Sequence, residues 1–130
     1  VRPRLDEPQA CSDWRWLGQR IRCALAPDDP RLLTRFLNDG HELVVHHDLP
    51  AWRIFEGSFQ LLLDSATDRA LPWHWRCLCL DHAYLPLQSL LPLARDPLRR
   101  QRLLGLQRRL AALRLAPSLS YIEPEEGNTA

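Results

Sequence analysis

Residues 51–63 read Ala51-Trp52-Arg53-Ile54-Phe55-Glu56-Gly57-Ser58-Phe59-Gln60-Leu61-Leu62-Leu63. Trp52, Phe55, Phe59, Leu62 and Leu63 recur at spacings of 3, 4, 3 and 1, which gathers them on one side of an α-helix and marks that side as buried. Ile54 and Leu61 widen the stripe. Asp48-Leu49-Pro50 opens the helix, and Asp68 and Arg69 fall in the loop that follows it.

The same grammar extends in both directions. Upstream, Ser12-Asp13 offers a cap and an acidic first turn, and Trp14, Leu17, Ile21 and Leu25 follow at helical spacing. This predicts a helix over about residues 13–25, ended by Pro27. Asp29-Pro30 starts a second helix with proline in a first-turn position that needs no backbone N–H. Leu32, Leu33, Phe36 and Leu37 are its apolar face. Asn38-Asp39-Gly40 could stop this helix. Leu43 and Val44 continue its period, however, and a strand over 42–47 rests on two valines, so the helix is expected to run to His46.

Downstream, Leu71-Pro72 starts a helix over Trp73 to Tyr84, and Leu85-Pro86 breaks or kinks it. Residues 87–94 read as a short continuation. Asp96-Pro97 caps a last helix over about 97–115. Its leucines 103, 106, 110 and 113 occupy a and d positions of a heptad, and Leu104, Ala111 and Leu115 form a second strip. The expected fold is all-α, a small bundle of about five helices with short proline-marked loops. Residues 1–11 read as a flexible arm, 12–116 as one helical domain, and 117–130 as a flexible acidic tail carrying Glu123, Glu125 and Glu126.

Composition agrees. The 130 residues suit one domain large enough to fold without staples. Leucine supplies 27 positions and valine and isoleucine three each, which favours helix over sheet. There is no methionine, so tryptophan and phenylalanine must fill the core. There is no lysine, and all 17 basic residues are arginine, a bias that reads as genomic. The net charge is +1. No signal peptide is evident at the start of this sequence, and no run reaches the roughly 18 apolar residues of a membrane span. The expectation is a cytoplasmic protein with reduced cysteines.

Four groups of residues could carry chemistry. On a helix, His74, Cys77 and Asp81 share a face within about 60° and offer nitrogen, sulfur and oxygen donors to zinc or iron. The competing reading makes Cys77 a small buried apolar residue. Asp39, Glu42 and His46, with His47 beside them, also cluster. Their spacing is not the Glu-x-x-His of di-iron bundles, so a solvated face is expected there. Five tryptophans could hold a planar ligand such as haem or stack on bases. Trp14, Trp52 and one of Trp73 and Trp75 are expected in the core. Trp16 and Trp75, beside Arg15 and Arg76, are the candidate interface anchors. Leu103, Leu106, Leu110 and Leu113 are a candidate homodimer seam. Arg99, Arg102 and Arg109 could contact phosphate, but a solvated arginine face is the favoured reading and a nucleic-acid partner is not expected. Gly18, Gly40, Gly57, Gly105 and Gly127 are isolated, so no phosphate-binding loop is formed. Ser58, Ser65, Ser89 and Cys77 lie in helical contexts without a nucleophile motif. No catalytic residue and no resident cofactor is expected.

Several words of the sequence resemble one family. Trp14-Arg15-Trp16-Leu17, Ile21-Arg22-Cys23-Ala24-Leu25, Leu61-Leu62-Leu63-Asp64 and Ala70-Leu71-Pro72-Trp73-His74-Trp75-Arg76, with Leu80-Asp81 after it, resemble the FagA family. These are small bacterial proteins named for association with the iron-uptake regulator Fur. The resemblance spans roughly residues 12–82 and does not extend past Arg95. It implies a cytosolic protein made under iron limitation, encoded beside a fumarase and a manganese superoxide dismutase. It implies no activity and carries over no catalytic residue. The resulting expectation is an accessory or interaction protein that acts on a protein partner or as a homodimer.

Overall fold

The structure, a computed structural model, describes residues 7–119. Six α-helices follow one another: α1 (Glu7–Arg22), α2 (Arg31–His47), α3 (Ala51–Thr67), α4 (Trp73–His82), α5 (Tyr84–Leu90) and α6 (Pro97–Ala112). A 3-10 turn at Leu91–Leu93 joins α5 to α6. Among the described residues there is no strand. The chain is the small all-α bundle that the leucine pattern predicts.

α4 and α5 are separated by Ala83 alone, whose backbone keeps helical angles. Pro86 explains the break. It has no N–H to donate to the His82 carbonyl four residues back, and its ring crowds that oxygen. Counted as one interrupted helix, the pair brings the total to the expected five.

α2 runs unbroken through Asn38-Asp39-Gly40 to His47, which settles 41–47 as helix. Gly40 is there for close packing and not as a stop. A Cβ at Gly40 would lie 3.2 Å from Trp14 Nε1 and 3.3 Å from Ile54 Cγ2. Gly18 of α1 is similar, with Leu61 Cδ1 at 3.0 Å and Phe36 Cε1 at 3.2 Å. These two positions let α1, α2 and α3 approach closely. Trp14 stacks on Phe36 between them, with ring centroids 5.0 Å apart and planes 3° from parallel.

Both ends of α1 differ from expectation. The helix begins at Glu7, so residues 7–11 belong to it and not to an arm; residues 1–6 lie outside the described residues. Pro8 is tolerated because a first-turn N–H has no intrahelical partner anyway. At the other end Ala24 takes the left-handed conformation, φ 50°. The Leu25 N–H then donates to Arg20 O at 2.9 Å and the Ala24 N–H to Ile21 O at 3.0 Å, a paired closure of the helix end. This turns Leu25 off the apolar face, and it is exposed.

α3 is the central element and touches α1, α2, α4 and α5. Its stripe is buried as predicted, including Trp52, Ile54, Phe55, Phe59, Leu62 and Leu63. Ile21, Leu33, Phe36, Leu43, Trp75 and Leu90 complete the centre of the core. α6 lies on α5, with Leu103 and Leu106 buried and Leu110 and Leu113 packed against the same core. The leucine seam is therefore closed inside the molecule and is not a free homodimer surface. Of the second strip, Leu104 and Ala111 are exposed, while Leu115 is half-buried against the core.

Candidate functional site

α4 turns Trp75, Arg76, Cys79 and Ala83 inward. At about 100° per residue, His74, Cys77 and Asp81 then point to the opposite side. His74 and Asp81 are exposed and Cys77 is half-buried. His74 Nε2 is engaged elsewhere, 3.1 Å from Pro27 O and 3.4 Å from Asp28 Oδ1. Among the described residues no group of three or more His, Cys, Asp and Glu side chains could hold a metal ion. The proposed zinc or iron face is not assembled, because the apolar stripe that anchors α4 turns it to solvent.

Trp75 is also corrected. It is fully buried, and its indole N–H donates to Ile21 O at 3.0 Å. Trp73 is the surface residue of the pair, 48% exposed. Trp16 is exposed, as expected.

The buried side chain that sequence reading missed is Arg76. Its Nε donates to Ala66 O at 2.8 Å at the end of α3, and its Nη1 to Ser118 Oγ at 2.9 Å. Ser118 Oγ donates onward to Leu71 O at 2.8 Å. Arg76 Nη2 is buried without a partner among the described residues. The guanidinium lies 5.2 Å from the centre of the Trp73 ring. Residues 117–119 are drawn across this corner, with Arg69 Nε donating to Pro117 O at 2.9 Å and the Leu119 N–H to Arg69 O at 2.8 Å. The tail thus starts as a pinned strap, and Glu123, Glu125 and Glu126 lie outside the described residues.

Asp68 completes the corner. Arg22 Nη1 donates to its Oδ2 at 2.7 Å and the Ala70 N–H to its Oδ1 at 2.9 Å. The Arg22 hydrogen bond, then the Ala70 N–H, hold this carboxyl below its ordinary range against the opposing effect of burial. The charges of Arg22 and Arg76 act in the same direction. The Pro72–Arg76 words are in this way a clasp joining the ends of α1 and α3 to the start of α4.

The arginines of α6 have intramolecular work. Arg102 Nε donates to Glu56 Oε2 at 2.6 Å and Arg109 Nη1 to Gln60 Oε1 at 2.9 Å, both on α3. Arg99 sits 5.2 Å over the Trp52 ring. These three fasten α6 to α3, which weakens their case as a phosphate surface. Of the other acidic cluster, Glu42 faces His46 at 3.5 Å and Asp39 faces Arg35 at 4.0 Å, pairings along one helix face.

A cleft of about 300 Å³ opens between α2, α3 and α5. Asn38 and His41 of α2, Phe55 of α3 and Gln88 and Ser89 of α5 line it. The His41 ring packs on Phe55 with centroids 4.7 Å apart. Ser89 Oγ lies 3.3 Å from His41 Nε2 and 3.4 Å from Leu85 O. No local motif signals this grouping, since His41 and Ser89 are 48 residues apart and meet through the α5 break.

No protein-family model matches the chain, and no curated protein or solved structure matches it either. No described helix is long and apolar enough to cross a membrane.

Proposed function

We propose that this protein is a non-enzymatic accessory protein that binds a partner protein through the outward face of α1. By its resemblance to the FagA family, the setting is the iron-limitation response, in the cytoplasm. Trp16 carries the reading. Its ring is 58% exposed in the middle of a regular helix, and its indole N–H has no partner among the described residues. Trp14, which is half-buried, and the buried Trp52 and Trp75 differ, for Trp14 donates to Phe36 O, Trp52 to Glu56 Oε1 and Trp75 to Ile21 O. Ser12, Gln19 and Cys23 share the exposed face with Trp16, and Arg15 borders it. Tryptophan beside arginine is the composition of an interface anchor. With the α6 seam closed, a homodimer through this same face is the second reading.

The test is affinity capture from iron-starved cells of the source organism with wild type and Trp16→Ala, alongside sedimentation of each. A partner retained by wild type and lost by the variant supports the reading. So does a dimer that the variant abolishes. Identical partners and identical mass for both proteins end the assignment to α1. Transcript levels that do not rise on iron chelation end the iron-limitation setting.

A further inference from the structure

We propose that the acidic segment following Leu119 docks on the corner formed by Trp73 and Arg76, with the Glu123 carboxylate as the missing partner of Arg76. This site is separate from the α1 face.

A buried guanidinium needs hydrogen-bond acceptors and a counter-charge. Arg76 is fully buried and has only part of this. Its Nε and Nη1 donate to Ala66 O and Ser118 Oγ, which are both neutral, and Nη2 has no partner among the described residues. Two bonds fix the plane of the rigid fork, so the third donor is already aimed.

Among the described residues no carboxylate forms an ion pair with Arg76. Asp68 feels its charge, but Oδ2 of Asp68 is taken by Arg22 and Oδ1 by the Ala70 N–H. Arg69, bonded to Pro117 O, adds another positive charge to the corner.

The described chain ends at this place. Ser118 sits on Arg76, and the Leu119 N–H is held by Arg69 O at 2.8 Å. The next residues read Ser120-Tyr121-Ile122-Glu123-Pro124-Glu125-Glu126, and from Ser120 to Ala130 there are three acids and no base. Glu123 is the first of the three. Four residues beyond Leu119, it has a reach of up to about 13 Å. Pro124 favours an extended backbone at Glu123, which continues the strap. Tyr121 and Ile122 bring apolar cover to Trp73 and Leu119, which are both exposed.

The experiment is nuclear magnetic resonance on the isotope-labelled full chain. Expected are contacts between the Ile122 methyls and the Trp73 ring. The Glu123 carboxyl should stay ionised at the pH, about 4.3, where Glu125 and Glu126 are half protonated. Glu123→Gln should speed exchange of the Leu119 amide about tenfold, the effect of losing one charge-assisted bond. Glu126→Gln should leave that exchange unchanged. Both substitutions lie outside the helices, so the bundle is expected to fold. The contacts should also persist at about 1 M salt, which screens exposed charges but not a seated pair. Absence of the Ile122–Trp73 contacts, their loss in salt, titration of Glu123 together with Glu125 and Glu126, or equal effects of the two substitutions overturns the proposal.

Discussion

The indole N–H of Trp75 donates to the main-chain oxygen of Ile21 at 3.0 Å, and both side chains are fully buried. This bond fixes the start of α4 to the last turn of α1, where the Ile21 carbonyl takes it as a second donor beside the Ala24 N–H. Trp75→Ala removes both the bond and a large core side chain. It should cost about 3–5 kcal/mol in denaturant unfolding followed by circular dichroism. Trp75→Phe keeps a ring and should cost about 1–3 kcal/mol. Trp73→Ala loses an exposed ring and its contact with Arg76, and should cost about 1 kcal/mol or less. Equal losses at 73 and 75 would contradict the assignment of Trp75 to the core.

These two tryptophans show where sequence reading succeeds and where it stops. Helical periodicity located α3, α4 and α6, because long apolar stripes with proline starts leave few alternatives. It put Trp75 outward and was wrong, as residues two apart lie about 200° apart and periodicity alone lets either face inward. The choice is made by Cys79 and Ala83, which share the inner stripe with Trp75. Arg76 was missed because a charge is assumed to face water. Here carbonyl and hydroxyl acceptors from the end of α3 and residue 118 receive it, and those contacts are long-range. The α1 boundary failed for a local reason, since Ala24 adopts a left-handed turn that favours glycine. The His41–Ser89 cleft needed the fold, for nothing near either residue announces the other.

Glycine substitutions should have opposite signs at different positions. Gly57 and Gly105 are helical, and a Cβ there would meet nothing within 4 Å. Gly57→Ala and Gly105→Ala should each stabilise by about 0.5–1 kcal/mol through helix propensity. At Gly40 the new methyl meets Trp14 Nε1 and Ile54 Cγ2, and Trp14 is held by its bond to Phe36 O at 3.0 Å. Gly40→Ala should destabilise by about 1–3 kcal/mol. Thermal melts of the three variants check the contrast, and a stabilised Gly40→Ala would show that the helices have room to part.

Ala24 is the position where a small change should help. Its φ of 50° costs an L-residue about 1–2 kcal/mol, and the two hydrogen bonds that close α1 depend on it. Ala24→Gly relieves that strain and loses a half-buried methyl and some unfolded-state restriction. The net expectation is a gain of about 0.5–1 kcal/mol in unfolding free energy. A loss of similar size would mean that the Ala24 methyl packs better than its partial burial suggests.

Asp68 gives an acid-side signature. Its folded carboxyl titrates below the unfolded value because Arg22 and the Ala70 N–H stabilise the anion. Its contribution is therefore present above the unfolded value of about 3.9 and is lost as pH falls through the folded one. Asp68→Asn retains an acceptor for the Ala70 N–H and removes the charge. Both partners are partly exposed, so the cost near neutral pH should be about 1 kcal/mol. The difference between wild type and variant should shrink in unfolding curves taken at successively lower pH. A difference that stays constant down to pH values below the folded titration would assign the loss to shape and not to charge.

Cys79 gives the alkaline counterpart. Burial pushes its thiol up to about 12, against a small opposing effect of the Arg22 charge. The folded state therefore keeps the proton after an unfolded thiol, near 8.5, has released it. By linkage the contribution is complete below the unfolded value and is lost as pH rises through the folded one. Between those limits the slope is about 1.4 kcal/mol per pH unit, and Cys79→Ala should abolish that part of the alkaline dependence. Thiol reagents supply a second readout, because the thiolate is the reacting form. Exposed Cys23 should be modified rapidly in the native protein at pH 8, half-buried Cys11 and Cys77 more slowly, and Cys79 only on unfolding. Rapid native-state labelling of Cys79, located by peptide mass, would show that α4 opens far more readily than its Trp75 and Arg76 anchors imply.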